Sequence, residues 1–222
     1  MSKTEEQKQK IVQIYRKRAG NYNLTANLYY LFGYREYAYR KKAVEALNLS
    51  EGDSVIDLCC GTGLNFSFLQ EKIGLEGKII GVDLTDAMLE KARERVKRNE
   101  WDNVELIQSD VAKYKFPKRI NAILSTYALA LVPEYDEVVQ RAYDSLVSEG
   151  RFVELGLKIP KNSLARLKSL IYSLIRPFGN PEGYISNKVW ESVEDHFDEH
   201  ELINLYGGIS YITIGEKNGS KA

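Results

Sequence analysis

Two cysteines, two histidines and five prolines in 222 residues leave little room for several chemistries. Cys59 and Cys60 are adjacent, a spacing that rarely supports a structural disulfide, and no further cysteine is present to build a thiolate zinc cage. They read as small side chains in a tight loop. His196 and His200 have i, i+4 spacing but no third ligand beside them, so they are expected to be surface histidines and no metal is expected. No apolar run approaches the roughly 20 residues that span a bilayer. The start, MSKTEEQKQK, lacks the apolar stretch of a signal peptide, so a cytoplasmic protein is expected. Net charge is absent too: 31 Lys+Arg balance 31 Asp+Glu, which removes the overall basic field of an unspecific nucleic-acid binder.

What is present is unevenly distributed. Residues 1–48 carry ten Lys/Arg against four Asp/Glu, about +6, and the remainder carries 21 against 27, about −6. Seven of the fifteen tyrosines fall between Tyr15 and Tyr39. The segment 1–48 is therefore expected to be a helical cap, with peripheral contact at an anionic membrane surface as one role for its basic and aromatic residues. With 44% hydrophobic residues, the chain can bury one substantial core. We expect a single structural domain in which residues 49–222 follow the cap and an insertion occupies about 160–186.

From residue 54 onward, short β-branched runs alternate with longer amphipathic stretches, the rhythm of a parallel sheet covered by helices. Strands are predicted at 54–59, 78–83, 104–110, 121–126 and 150–158, with helices at 64–73, 85–99 and 134–147. Each helix is long enough for a right-handed crossover, giving a doubly wound α/β core. After residue 158 an amphipathic helix is predicted at 163–175, and the final segment reads as two strands joined at Gly207-Gly208, a hairpin at the sheet's edge.

The stretch VIDLCCGTGLNFSFL, from Val55, is a strand, a glycine turn and a helix. A nicotinamide-binding turn continues G-x-G-x-x-G, but here Gly61, Thr62 and Gly63 are followed by Leu64, Asn65 and Phe66. Asp57, four residues before Gly61, would repel a pyrophosphate and welcome a ligand with a cationic amino-acid end, such as S-adenosylmethionine. Asp83, closing the second strand, could accept both ribose hydroxyls. Asp110, closing the third, could accept from the adenine amino group while the backbone of Val111 meets the ring edge and Leu84 and Met88 flank it.

These segments resemble the class I S-adenosylmethionine-dependent methyltransferases: VIDLCCGTG is similar to their first motif, GVDLTDAML to the second, SDVAKYKF to the third and SLVSEGRFV to the turn into the fifth strand. The resemblance implies a Rossmann-like fold with helices on both faces of a seven-stranded, mostly parallel sheet whose C-terminal strand is antiparallel. It implies S-adenosylmethionine as cofactor and S-adenosylhomocysteine as product. The loop positions Cys59, Thr62 and Asn65, with Ser125 in the fourth strand, complete the expected lining. The N-terminal segment is similar to the cap of quinone-biosynthesis C-methyltransferases: Tyr22-Asn23 stands where the family has Tyr-Asp, and YREYAYR, ending at Arg40, matches its Arg-rich part. Tyr22, Tyr37, Arg40 and Tyr127 are the expected substrate-aligning residues. Because tyrosine faces attract ammonium groups, an amine or lipid-headgroup acceptor is expected. The alternatives are a quinone precursor and a non-catalytic cofactor-binding regulator. STYA, from Ser125, stands where a nucleic-acid base methyltransferase would carry Asn-Pro-Pro-Tyr, so no nucleic-acid partner is expected.

Overall fold

The computed structural model describes residues 3–20, 33–158 and 186–219. The predicted helix at 163–175, most of the insertion, and Tyr22 lie outside the described residues. Helix α1 (Lys3–Arg18) precedes α2 (Glu36–Ala46), β1 (Ser54–Leu58), α3 (Phe66–Ile73), β2 (Lys78–Asp83), α4 (Asp86–Arg98), β3 (Val104–Gln108) and β4 (Ile120–Thr126). Then come α5 (Tyr135–Ser145), β5 (Leu146–Leu157), α6 (Val189–His196), β6 (Glu199–Leu205) and β7 (Ser210–Glu216).

The strands form one seven-stranded sheet in the order β3-β2-β1-β4-β5-β7-β6. β1 to β5 pair in parallel, and β7 runs antiparallel to both β5 and β6. The C-terminal hairpin therefore adds two strands, with β7 inserted beside β5 and β6 left at the rim. The order reverses between β1 and β4, and open α/β sheets receive ligands at the carboxyl ends of the strands beside such a reversal.

Strand alternation divides the core in two. Ile56, Leu58, Ile80, Val82 and Ile123 face α5 and α6, where Val138, Ala142, Val189 and Val193 meet them. Val55, Ile79, Ala122 and Leu124 face α2, α3 and α4, packing on Val44, Phe66, Leu69 and Leu89. Asp57 and Asp83 belong by parity to this second face, so both carboxyls point toward the helices that follow the glycine turn.

Element ends depart from the sequence prediction in instructive ways. β1 stops at Leu58 because Cys59 turns left-handed, with φ +55°. β3 stops at Gln108, and Asp110 opens a turn in which its carbonyl accepts from Lys113 and Tyr114 at 2.8 and 2.9 Å. β5 begins four residues before prediction: Leu146 pairs Ile120, the chain detours through Glu149 at φ +64°, and pairing resumes at Arg151 opposite Ala122.

The close approach of a third turn glycine is supplied from another strand. A Cβ at Gly81 of β2 would lie 2.8 Å from Phe66 Cζ, 2.9 Å from Leu106 Cδ2 and 3.0 Å from Cys60 Sγ. Gly81→Ala must displace the fully buried Phe66 at the head of α3, and we expect a loss of about 1–3 kcal/mol in denaturant unfolding. Unchanged stability would show that α3 tolerates a shift away from the sheet.

Candidate functional site

A cavity with an empty volume of about 850 Å³, including its solvent-open mouth, sits at the carboxyl ends of β1, β2 and β4 and the turn after β3. Of the residues singled out in the sequence, Cys59, Gly61 and Thr62 line it from the glycine turn. Asp83, Leu84 and Met88 line it after β2, Asp110 and Val111 after β3, and Arg40 and Tyr127 at the far end. The turn is shaped by three left-handed residues, Cys59, Gly61 at +56° and Gly63 at +72°. A Cβ at Gly63 would fall 2.5 Å from the Phe66 ring.

Asp83 is 8% exposed and ties two segments together: Gly61 N–H donates to its Oδ2 at 2.9 Å and Thr85 N–H to its Oδ1 at 2.8 Å. Burial raises its carboxyl above the usual range, and those backbone donors oppose the rise. Burial, reinforced by Asp83 and Asp57, pushes both cysteine thiols well up, so neither is a ready thiolate.

Asp57 is not on the cavity wall. It is fully buried beneath the turn, and both its oxygens accept from Asn65 Nδ2, at 3.1 and 3.0 Å. Asn65 occupies the N-cap of α3, yet its amide is turned inward: Oδ1 accepts from Arg40 Nη1 at 2.9 Å. Arg40 Nη1 also donates to Thr126 Oγ1 at 2.6 Å, and Arg40 Nε to Glu36 Oε1 at 2.8 Å. Asp57, expected to face a cationic ligand, lies behind the turn, because β1 ends one residue earlier than predicted. Gly63 and Asn65 likewise stand behind the wall.

Ser125 is fully buried on the opposite face, and the neighbouring Thr126 lines the cavity. Tyr37 is 66% exposed, edge-on to Phe68 with centroids 4.7 Å apart, and does not line the cavity. Arg40, three residues later, occupies the inward face of the same helix. His196 and His200 each face a separate carboxylate, Asp136 at 3.1 Å and Glu194 at 3.6 Å.

Lys8 and Ile11 carried no signal in the sequence, and Tyr15 stood out only as part of the tyrosine-rich segment. Lys8, Ile11 and Tyr15 of α1 close the cavity from above. At the far end of the wall, Tyr127, left-handed at φ +60°, follows β4, and its hydroxyl accepts from Tyr34 at 2.7 Å. Tyr34 packs edge-on against Tyr39 and Tyr206, both at 5.3 Å. Arg40 Cζ stands 5.1 Å from the centroid of the Tyr127 ring.

Across the sheet, Glu154 of β5 is fully buried opposite Ser125 and accepts from Tyr211 at 2.8 Å. Its Oε1 and the Ser125 Oγ have no hydrogen-bond partner. An acid inside the apolar run GRFVELGLK is the same signal that singled out Asp57, and it could have found this residue.

The profile of the methyltransferase-domain family matches residues 49–195. A demethylmenaquinone methyltransferase of Listeria welshimeri is 32% identical over 114 residues, which cover 51% of this chain and 48% of the relative. This chain thus matches about half the length of that relative. A demethylmenaquinone methyltransferase of Lactococcus lactis is 28% identical over 192 residues, covering 83% of this chain and 76% of the relative. Among solved structures, a SAM-dependent methyltransferase from Aquifex aeolicus aligns with a TM-score of 0.63 at 18% identity, over 80% of this chain and 88% of that one.

Burial raises Asp57 to about 7, opposed by the Asn65 hydrogen bond and Arg40, and raises Glu154 to about 8, opposed by Tyr211. The unfolded chain releases both protons from about pH 4 upward. The stability these groups allow is therefore full below that range and is lost as pH rises toward 7 and 8. Glu154→Gln removes one of the two contributions. We expect its melting temperature to fall less than the wild type's between about pH 5 and pH 8. Parallel profiles would mean that Glu154 is already ionised when folded.

Proposed function

The chain belongs to the class I S-adenosylmethionine-dependent methyltransferases, and on that premise we propose that it methylates a small, uncharged aromatic acceptor of the quinol kind. The cofactor supplies an electrophilic methyl group on a sulfonium, so the protein's part is alignment and exclusion of water. We assign Asp83 to the ribose hydroxyls, Asp110 and the Val111 backbone to the adenine edge, and Leu84 and Met88 to the adenine faces. The Gly61 and Thr62 backbone is assigned to the amino-acid end, with Arg40 taking its carboxylate. Gly61 supports the fit: a Cβ there would stand 3.4 Å from Met88 Cε, and both residues line the cavity, so the missing side chain keeps that space open.

Arg40 over the Tyr127 ring carries the choice of acceptor. An amine acceptor drawn by aromatic faces would need one free of other cations, but the Tyr127 face already holds the protein's own guanidinium. Lys158 likewise lies over Trp190 and Tyr211, at 5.2 and 5.4 Å. A neutral ring can pack on such a wall without displacing a cation. The likeness to demethylmenaquinone methyltransferases, which extends over 83% of the chain in one case, supports the same acceptor class and favours it over the amine or lipid headgroup.

A tritium-transfer assay tests this directly, with S-[methyl-³H]adenosylmethionine and a 2-polyprenyl-1,4-naphthohydroquinone, phosphatidylethanolamine vesicles or small amines as acceptors. We expect label in the quinol. Label confined to the amine-bearing acceptors would sink the quinol reading and leave the methyltransferase assignment standing. Asp83→Asn should weaken S-adenosylhomocysteine binding by about 1–3 kcal/mol in titration calorimetry, and unchanged affinity would move the ribose contact elsewhere.

A further inference from the structure

On the cofactor assignment just given, we propose that Lys8 of α1 is a positioning residue for the nucleoside, fixing the Asp110 carboxylate as the hydrogen-bond acceptor for the adenine amino group. Lys8 Nζ donates to Asp110 Oδ2 at 2.7 Å and to Glu134 Oε1 at 2.9 Å. The Lys8 and Asp110 side chains are only 9% and 12% exposed, so this pair is little screened by solvent. Ala112 N–H holds the other oxygen, Asp110 Oδ1, at 3.0 Å. A carboxylate anchored at both oxygens has its plane fixed, and each oxygen still keeps a lone pair for a further donor. Glu134, the second partner of Lys8, stands behind the cavity wall and holds the ammonium from the other side. An exocyclic amino group, with two N–H bonds and no charge, is a donor suited to that setting.

The placement of α1 supports a role in the wall rather than in the opening. Lys8, Ile11 and Tyr15 follow i, i+3, i+7 spacing, one face of a helix, and all three line the cavity. The helix therefore lies along the pocket as a roof, and a cavity with about 850 Å³ of empty volume persists beneath it. Outside the pocket, Arg16 makes a two-pronged contact with Asp86, at 2.8 and 2.9 Å, which registers the helix on the start of α4. The pair is about half exposed and adds little stability by itself. The opposing hypothesis is that the Lys8 ammonium stands in the amino group's place and competes with it.

Titration calorimetry on the full chain separates the two. Wild type, Lys8→Met and Lys8→Arg would each be titrated with S-adenosylhomocysteine and with S-inosylhomocysteine, whose 6-oxo group lacks the donor. Wild type should prefer the adenosyl ligand. In Lys8→Met the adenosyl affinity should fall about tenfold, the worth of a charge-assisted hydrogen bond, while the inosyl affinity changes less than about twofold. Lys8→Arg should restore the preference. Equal losses on both ligands would reduce Lys8 to a structural strut and overturn the proposal. So would unchanged binding, or tighter adenosyl binding by Lys8→Met, the signature of competition. If wild type binds neither ligand, the cofactor assignment itself falls, an outcome distinct from a normal wild type with an indifferent Lys8→Met.

Discussion

A carboxyl group inside a parallel sheet must be surrounded by donors or give up its charge, and the arrangement around Asp57 follows from that constraint. Asp57 is fully buried, and one amide, Asn65 Nδ2, serves both its oxygens. That amide is oriented by the Arg40 guanidinium on its other end, and Arg40 is held by Glu36 and Thr126. One buried acid thus draws together the end of β4, the head of α3 and the inner face of α2. The glycine turn runs over this knot and is gripped from the side by Asp83, through the Gly61 amide. A turn held from beneath and from the side needs little reorganisation when a ligand arrives.

Much of this was legible in the sequence, for reasons that differ by residue. The five parallel strands are continuous apolar runs bounded by turn residues, and such runs report burial on both faces. Asp57, Asp83 and Asp110 stood out because acids interrupt or end those runs. Their division of labour was not legible. Whether an acid meets a ligand or supports the turn depends on where the strand stops, and a single left-handed residue, Cys59, puts Asp57 beneath the surface. Arg40 stood out for substrate alignment, but its bonds to Asn65 and Thr126 are tertiary contacts that no local pattern records. Lys8 lies in KTEEQKQK, a run that reads as solvated charge. Its partners are 102 and 126 residues away.

Part of the charge asymmetry is met inside the molecule. The basic excess of residues 1–48 had suggested an anionic surface outside the protein. Two of those cations, Lys8 and Arg16, instead face Asp110, Glu134 and Asp86, acids of the body at the cavity and beside it. A third, Arg40, sits in the network over Asp57. The acidic rim that suits a nucleoside with hydroxyl and amino donors is thereby partly neutralised by the segment that roofs it. No helix among the described residues is long and apolar enough to cross a membrane.

Arg40 also joins the two halves of the site. On one side it fixes Asn65 and so the turn that would cradle the cofactor. On the other it covers the face of Tyr127, whose left-handed backbone and hydroxyl bond to Tyr34 define the wall beyond β4. A left-handed tyrosine is strained, and such strain persists only where surrounding contacts over-determine it. Here those contacts are the Leu155 carbonyl, which accepts from Tyr127 N–H at 2.7 Å, the Tyr34 hydroxyl and the Arg40 cation. The guanidinium that orders the cofactor turn therefore also occupies the aromatic face a cationic acceptor would use. On the acceptor class proposed above, selectivity against positive charge would be a by-product of how the cofactor side is held together.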